Sequence, residues 1–173
     1  MDKNDIQVGS DLELKTAAKD DFAAVANWFV CMKSVSASQT SKFVRQWAGP
    51  NIVYPCSANQ LALHVRTGKY QSFVLNQHTN IIGFGQIQLI KRRAHLARLA
   101  INPNVRGRGL ARRLLSELIE NAQQQIDLKE VSLFVYSENT IAIACYEKFG
   151  FAESATPTGI NAVVGCRFMT LRC

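Results

Sequence analysis

Leu99-Ala100-Ile101-Asn102-Pro103-Asn104-Val105-Arg106-Gly107-Arg108-Gly109-Leu110-Ala111-Arg112-Arg113-Leu114-Leu115 runs from an apolar strand through a glycine turn into a helix with a leucine stripe. A glycine-rich turn at a helix start leaves backbone N–H groups unpaired and aimed outward, and the helix dipole adds partial positive charge there. The stretch reads as a seat for phosphate. It is not a Rossmann fingerprint, because Arg112 stands where a third small residue would follow Gly107-x-Gly109. It is not a P-loop either, since no Gly-Lys-Ser/Thr closes it.

Outward from this turn the elements fall into order. Downstream, Ala111, Leu114, Leu115, Leu118 and Ala122 recur at helical spacing, Val131 to Tyr136 reads as a strand, and a second helix starts at Asn139. A terminal strand pair is expected near Phe151 to Ala155 and Ala162 to Leu171. Upstream, Leu12 to Thr16 alternates like a half-buried strand, and Asp20 is placed to cap a helix carrying Phe22, Val25, Ala26 and Phe29. Two more helices follow. One carries Phe43, Val44 and Trp47 and stops at Gly49-Pro50, and the other opens on a Ser57-x-x-Gln60 capping box. Tyr70 to Asn76, Ile81 to Ile90 and His95 to Ile101 then form an antiparallel meander. A later strand reached through a helix crossover makes this an α/β fold: a mixed, mostly antiparallel sheet flanked by helices, in a single domain.

The chain has 173 residues and a formal charge of +7. Its acids and bases are segregated. Phe22 to Ser116 contains no Asp or Glu but thirteen Lys and Arg, among them Lys33, Lys42, Arg45, Arg98 and the cluster Lys91-Arg92-Arg93. Such a field attracts an anionic cofactor or nucleic acid, but no aromatic-interleaved RNA motif or recognition-helix pattern is present, which sets nucleic acid aside. Residues 1–10 are polar and read as a flexible tail rather than a signal peptide or anchor, and no run approaches ~18 apolar residues, so no membrane association is expected. Five cysteines, Cys31, Cys56, Cys145, Cys166 and Cys173, show neither CxxC nor metal-ligand spacing, so reduced thiols, a cytoplasmic location and no metal are expected. Cys145 reads as a small core residue.

Arg106-x-x-Gly109-x-Ala111 resembles the pyrophosphate loop of the GNAT superfamily of acyl-CoA-dependent N-acyltransferases. A second block, Val131 to Val135 and then Asn139-x-x-Ala142-x-x-x-Tyr146-x-x-x-Gly150-Phe151, is similar to the strand, helix and closing Gly-Phe that follow it in that family. Together the blocks cover Leu96 to Phe151. The resemblance implies an N-acetyltransferase domain over residues 11–173 that moves an acetyl group from acetyl-CoA to a primary amine of a small molecule or peptide. It further implies that strands four and five splay apart, with Leu99, Ala100 and Ile101 contacting the pantetheine arm. Arg106, Gly107, Arg108, Gly109, Leu110, Ala111 and Arg112 would then surround the diphosphate, and Asn139, Ala142 and Tyr146 would line the cleft. Tyr146 matches the tyrosine that returns a proton to the leaving thiolate.

The base is where the chain departs from its relatives. Some members carry a Glu in mid-strand five, where Phe134 stands here, and others a Glu on strand four, where His95 stands. His95, Glu138 or a chain of waters are the candidates. Trp47-Ala48-Gly49-Pro50 is either a wall of the acceptor pocket or a helix stop with a buried anchor, and Lys91-Arg92-Arg93 either a solvated face or a seat for the nucleotide 3′-phosphate. The missing glutamates leave a non-catalytic CoA-binding module as the alternative, and a homodimer stays open.

Overall fold

Alternation at Leu12-Glu13-Leu14-Lys15-Thr16 produces β1 (Leu12–Thr16), whose leucines lean on the core while Glu13 and Lys15 face water and pair at 2.9 Å. The computed structural model describes residues 11–30, 36–66, 68–158 and 160–173. The expected tail 1–10, Cys31 and Lys33 lie outside them. Helix α1 (Lys19–Val30) buries Phe22, Val25, Ala26 and Phe29, as the spacing predicts. Its cap is Asp21 rather than Asp20. The Asp21 carboxylate accepts from the Ala18 N–H at 2.7 Å, which is the returning half of a capping box. Helix α2 (Ala37–Ala48) starts on the Ser36 side chain and stops at Gly49, whose φ of 101° takes it out of the helix. Helix α3 (Ala58–Val65) opens on the complete Ser57/Gln60 box.

Next come β2 (Gln71–Gln77), β3 (Asn80–Ile90) and β4 (Arg93–Ile101), a meander that leaves through α4 (Leu110–Gln125) to β5 (Glu130–Tyr136). The chain ends with α5 (Thr140–Phe149), β6 (Ala152–Glu153) and β7 (Cys166–Arg172). The sheet order is β1-β2-β3-β4-β5-β7-β6, and β4 with β5 is its parallel pair. The terminal pair is shorter than expected, because only Ala152 and Glu153 register with β7. Pro157, four residues on, has no N–H to extend a ladder.

The sheet separates two cores. On one face Leu114, Leu115 and Leu118 of α4 pack with Ile87, Leu96 and Leu133, while on the other Phe22, Phe29, Val44, Trp47, Leu61 and Val65 pack with Phe84. Full burial of one such leucine contributes about 2 kcal/mol. Helix α4 sits close: a Cβ on Gly85 would meet Leu118 Cδ1 at 2.6 Å and Leu99 Cδ2 at 3.0 Å, so a larger residue there forces those side chains to shift. Cys145 is not in either core; it is half-buried on α5, where Ile143 is the buried residue. Among the described residues no helix is long and apolar enough to cross a membrane.

Candidate active site

Strand β4 is paired on both sides only at its start. Arg93, Ala94, His95 and Leu96 register in parallel with Glu130, Val131, Ser132 and Leu133 of β5. Beyond that rung the strands part. Ala100 and Ile101 stay on β3, opposite Phe84 and Gly83, whereas Phe134 to Tyr136 stay on β7, opposite Phe168 to Cys166. A bulge turns β4 aside at this point, since it advances from Ala97 to Ala100 while β3 advances only from Gln86 to Phe84. Arg98 sits in the bulge at φ 50°, a left-handed conformation that a non-glycine residue holds only under constraint. The constraints are visible. The Trp47 indole N–H donates to the Arg98 carbonyl at 2.8 Å, and the Arg98 guanidinium donates to Gln86 Oε1 at 2.7 Å. Gln86 is fully buried and donates in turn to the Val65 carbonyl and Ser72 Oγ, both at 2.9 Å. The Arg98 guanidinium also lies 5.4 Å from the centre of the Tyr70 ring.

The open edge of β4 leads into the glycine turn. A short 3-10 turn at Pro103–Val105 delivers the chain to Gly107 and Gly109, at φ 79° and 74°. A Cβ at either would point into open space, the space an anion approaching the backbone would take. Helix α4 has no side-chain cap and no acid in its first turn. Among the described residues no protein acceptor meets the N–H groups of Gly107, Arg108, Gly109, Leu110 or Ala111. That cradle suits a diphosphate. Arg108 and Arg112 are exposed beside it, Arg112 lying 5.8 Å over the Phe149 ring, while Arg106 folds back so that its Nε donates to the Ile101 carbonyl.

A model of the acetyltransferase (GNAT) family matches residues 23–151. The chain belongs to the GNAT family. Within it, the [ribosomal protein bS18]-alanine N-acetyltransferase of Escherichia coli (strain K12) is 33% identical over 86 residues, which cover 50% of this chain and 57% of that enzyme. The crystal structure of spermidine N-acetyltransferase from Vibrio cholerae with CoA and spermine has a TM-score of 0.66 at 21% identity, covering 95% of this chain and 96% of that one. The ribosomal-protein-S18-alanine N-acetyltransferase structure from Escherichia coli gives 0.61 at 22%, covering 93% of each. At these identities the likeness establishes the GNAT fold.

Five further residues named from the sequence lie around the parted strands of this GNAT fold. Asn139 caps α5, its Oδ1 accepting from the Ala142 N–H at 3.3 Å, and Ala142 and Tyr146 lie one and two turns on against the α4-side core. The Tyr146 hydroxyl hydrogen-bonds to no other described residue; burial, with Cys145 beside it, pushes its pKa far above the phenolic range. Glu138 is already engaged, 3.4 Å from Lys42 and 3.8 Å from Arg45 of α2. His95 lies on the other face of the sheet, with Nδ1 3.0 Å from Ser132 Oγ and its ring edge-on to Phe134. Burial first, and then the Arg93 charge, lower its pKa to about 4.

Two alternatives left by the sequence are resolved by position. Trp47 is a buried anchor, stacked on Phe29 at 4.5 Å, and not a pocket wall. Lys91-Arg92-Arg93 lies at the opposite end of β4 from the glycine turn, roughly 25 Å away along a strand rising ~3.3 Å per residue. There Arg92 pairs with Asp127, and Arg93 lies 2.7 Å from Glu130 as an ion pair. Gln86, Arg98 and Ser132 were missed as site residues. Their signal was a polar side chain inside an otherwise apolar strand.

Proposed function

We propose that this chain is an acetyl-CoA-dependent N-acetyltransferase, residues 11–173 forming the catalytic domain, and that it acts by direct attack in a ternary complex. The observation that carries the reading is one juxtaposition: a strand edge that β5 leaves unpaired, joined through a 3-10 turn to five backbone N–H groups that have no acceptor among the described residues. A diphosphate on a long amide-bearing arm matches that shape, the diphosphate on Gly107 to Ala111 and the arm along Leu99, Ala100 and Ile101. In this reading Arg106, Arg108 and Arg112 add positive potential, and Asn139 and Ala142 line the far side of the arm.

The amine nitrogen attacks the thioester carbonyl carbon, the C–N bond forms, and the C–S bond breaks. A backbone N–H of the parted β4 segment stabilises the charge that develops on the carbonyl oxygen. Tyr146 is the proton donor to the departing sulfur: its raised pKa keeps the phenol protonated at alkaline pH, and its hydroxyl has no partner to release among the described residues. An alkylamine with pKa ~10.4 must lose a proton before attack. Water is the carrier this reading favours, because Glu138 is held by Lys42 and Arg45 and His95 is too weakly basic.

Polyamines call for free carboxylates. Glu130, at the closed end of the β4–β5 pair, and Glu138, just beyond β5, are matched by Arg93 and by the α2 cations. The acceptor in this reading is therefore a small amine, an amino acid or a peptide N-terminus, not a polycation. A cytoplasmic setting belongs to the same reading and is supported by the free thiols of Cys56, Cys145, Cys166 and Cys173.

Thermal melting with acetyl-CoA tests the cradle. At ~100 times Kd the stabilisation is about 2.7 kcal/mol, or roughly 5–10 °C for a chain of this size. An unchanged melting curve removes the reading. Thiol release over a panel of amines and peptides tests the chemistry, and a melting shift without release would make the chain a CoA-binding module instead.

A further inference from the structure

The side chain at position 95 is built for a task other than taking a proton. Ser132 is fully buried, and among the described residues its Oγ has one polar neighbour, His95 Nδ1, at 3.0 Å. Two arrangements of hydrogens are conceivable. If Nδ1–H donated to Ser132 Oγ, the serine's own hydrogen would be buried without an acceptor, which is costly. If the serine hydroxyl donates to the Nδ1 lone pair, both groups are satisfied and the ring hydrogen resides on Nε2.

The location gives that hydrogen a purpose. His95 and Ser132 form the rung next to the last one before β4 and β5 part, on the face away from α4 and α5. At the parting Leu133 and Val135 are buried on the α4 face, whereas His95, Phe134 and Tyr136 on the opposite face are only partly so, and an acceptor reaches the parted strands from the His95 side. The ring is wedged edge-on against Phe134, which itself leans on Phe168 at 5.0 Å. These aromatic rings fix the imidazole plane, and Nε2 has no partner among the described residues. Glu130, two residues before Ser132 on the same face of β5, is paired with Arg93.

We infer that Ser132 holds His95 as the Nε2–H tautomer, so that His95 donates a hydrogen bond to an oxygen carried beside the acceptor amine, as in an amino-acid amide or a peptide N-terminus. The inference rests on the acetyltransferase reading and narrows its substrate class. A plain alkylamine would leave the Nε2–H unmatched in a partly desolvated groove, and His95 is a specificity residue rather than a base. The depressed basicity of the ring, caused by burial and then by the Arg93 charge, keeps it neutral and so agrees with this.

Side-chain ¹H–¹⁵N correlation spectra of the three histidines, with His95 assigned through His95→Gln, read the tautomer directly. The expected result is a single Nε2–H form at neutral pH that becomes a tautomer mixture in Ser132→Ala; an Nδ1–H form in the unmodified chain overturns the inference. Kinetics with two probes of one shape, glycinamide and isobutylamine, read the consequence. The unmodified chain prefers glycinamide in kcat/KM, and His95→Phe reduces that preference about tenfold, the scale of one neutral hydrogen bond. An equal fall on both amines would mean that His95 handles the amine proton, and the inference would fail. If neither amine is turned over while acetyl-CoA still raises the melting temperature, the oxygen-bearing acceptor is wrong and the cofactor cradle stands. If the melting shift is missing as well, the underlying reading is what has failed.

Discussion

The two halves of β4 are made from similar residues and do opposite things. Arg93 to Leu96 is hydrogen-bonded on both sides, to β3 and to β5, and its side chains at 94 and 96 are buried. From Ala97 to Ile101 the strand keeps only β3, and a bulge at Arg98 turns its other edge toward a gap. A backbone edge left unpaired is normally a liability. Here it is held open by groups from elsewhere in the chain: the Trp47 indole on the Arg98 carbonyl and Gln86 under the guanidinium. The closed half supplies rigidity, and the open half supplies unpaired main chain next to a phosphate cradle.

Breaking the open half at its exit has the largest effect. Gly109→Glu places a negative charge in the cradle and a side chain at φ 74°, and it should abolish the acetyl-CoA melting shift; Gly109→Ala, which shares the strain without the charge, should keep part of it. The clamp comes next. Gln86→Leu leaves a buried guanidinium without its acceptor and should cost about 3 kcal/mol in urea unfolding, with KM for acetyl-CoA rising as the bulge relaxes. No loss of stability would mean that Arg98 finds another partner.

The closed half carries a pH signature. His95 titrates near 6.5 when unfolded and at about 4 when folded. Its neutral form is the one the fold accepts, so stability is complete above pH 6.5 and declines as pH falls toward 4, by up to about 3 kcal/mol. Unfolding free energies of the unmodified chain and His95→Gln, compared at pH 7 and pH 4, should differ by that drop. Tyr146→Phe sharpens the comparison from the other side of the gap. It should lower kcat by about 10²-fold with little change in melting temperature, because the hydroxyl has no partner among the described residues to lose. Smallest of all, Arg92→Ala touches only the far end of β4 and should leave KM for acetyl-CoA within about twofold.

Local signals were legible where the physics is local. The Ser57/Gln60 capping box and the leucine spacing of α4 each involve residues three or four apart, and the structure has both. Asp20 against Asp21 is the same kind of decision missed by one position, because either carboxylate could serve and only the approach of Ala18 chose between them. Cys145 misled for a different reason. An apolar stretch in α5 names a buried face but not which residues share it with Ile143. The candidate site divides in the same way. The glycine turn was readable as a run of residues, whereas the Gln86–Arg98–Trp47 clamp joins positions 12 and 51 apart and has no local signature.

By itself the sequence determined the order of strands and helices, the glycine turn at a helix start, and the absence of any carboxylate from Phe22 to Ser116. These depend on periodicity, on conformations open to glycine, and on charge counts, all of which act over a few residues or need no geometry. Only the tertiary structure decided where β4 and β5 part, which acids meet the basic segment, and which groups meet the His95 ring. Each of those depends on a partner brought from a distant part of the chain, and a buried polar group takes its state from the one neighbour within reach.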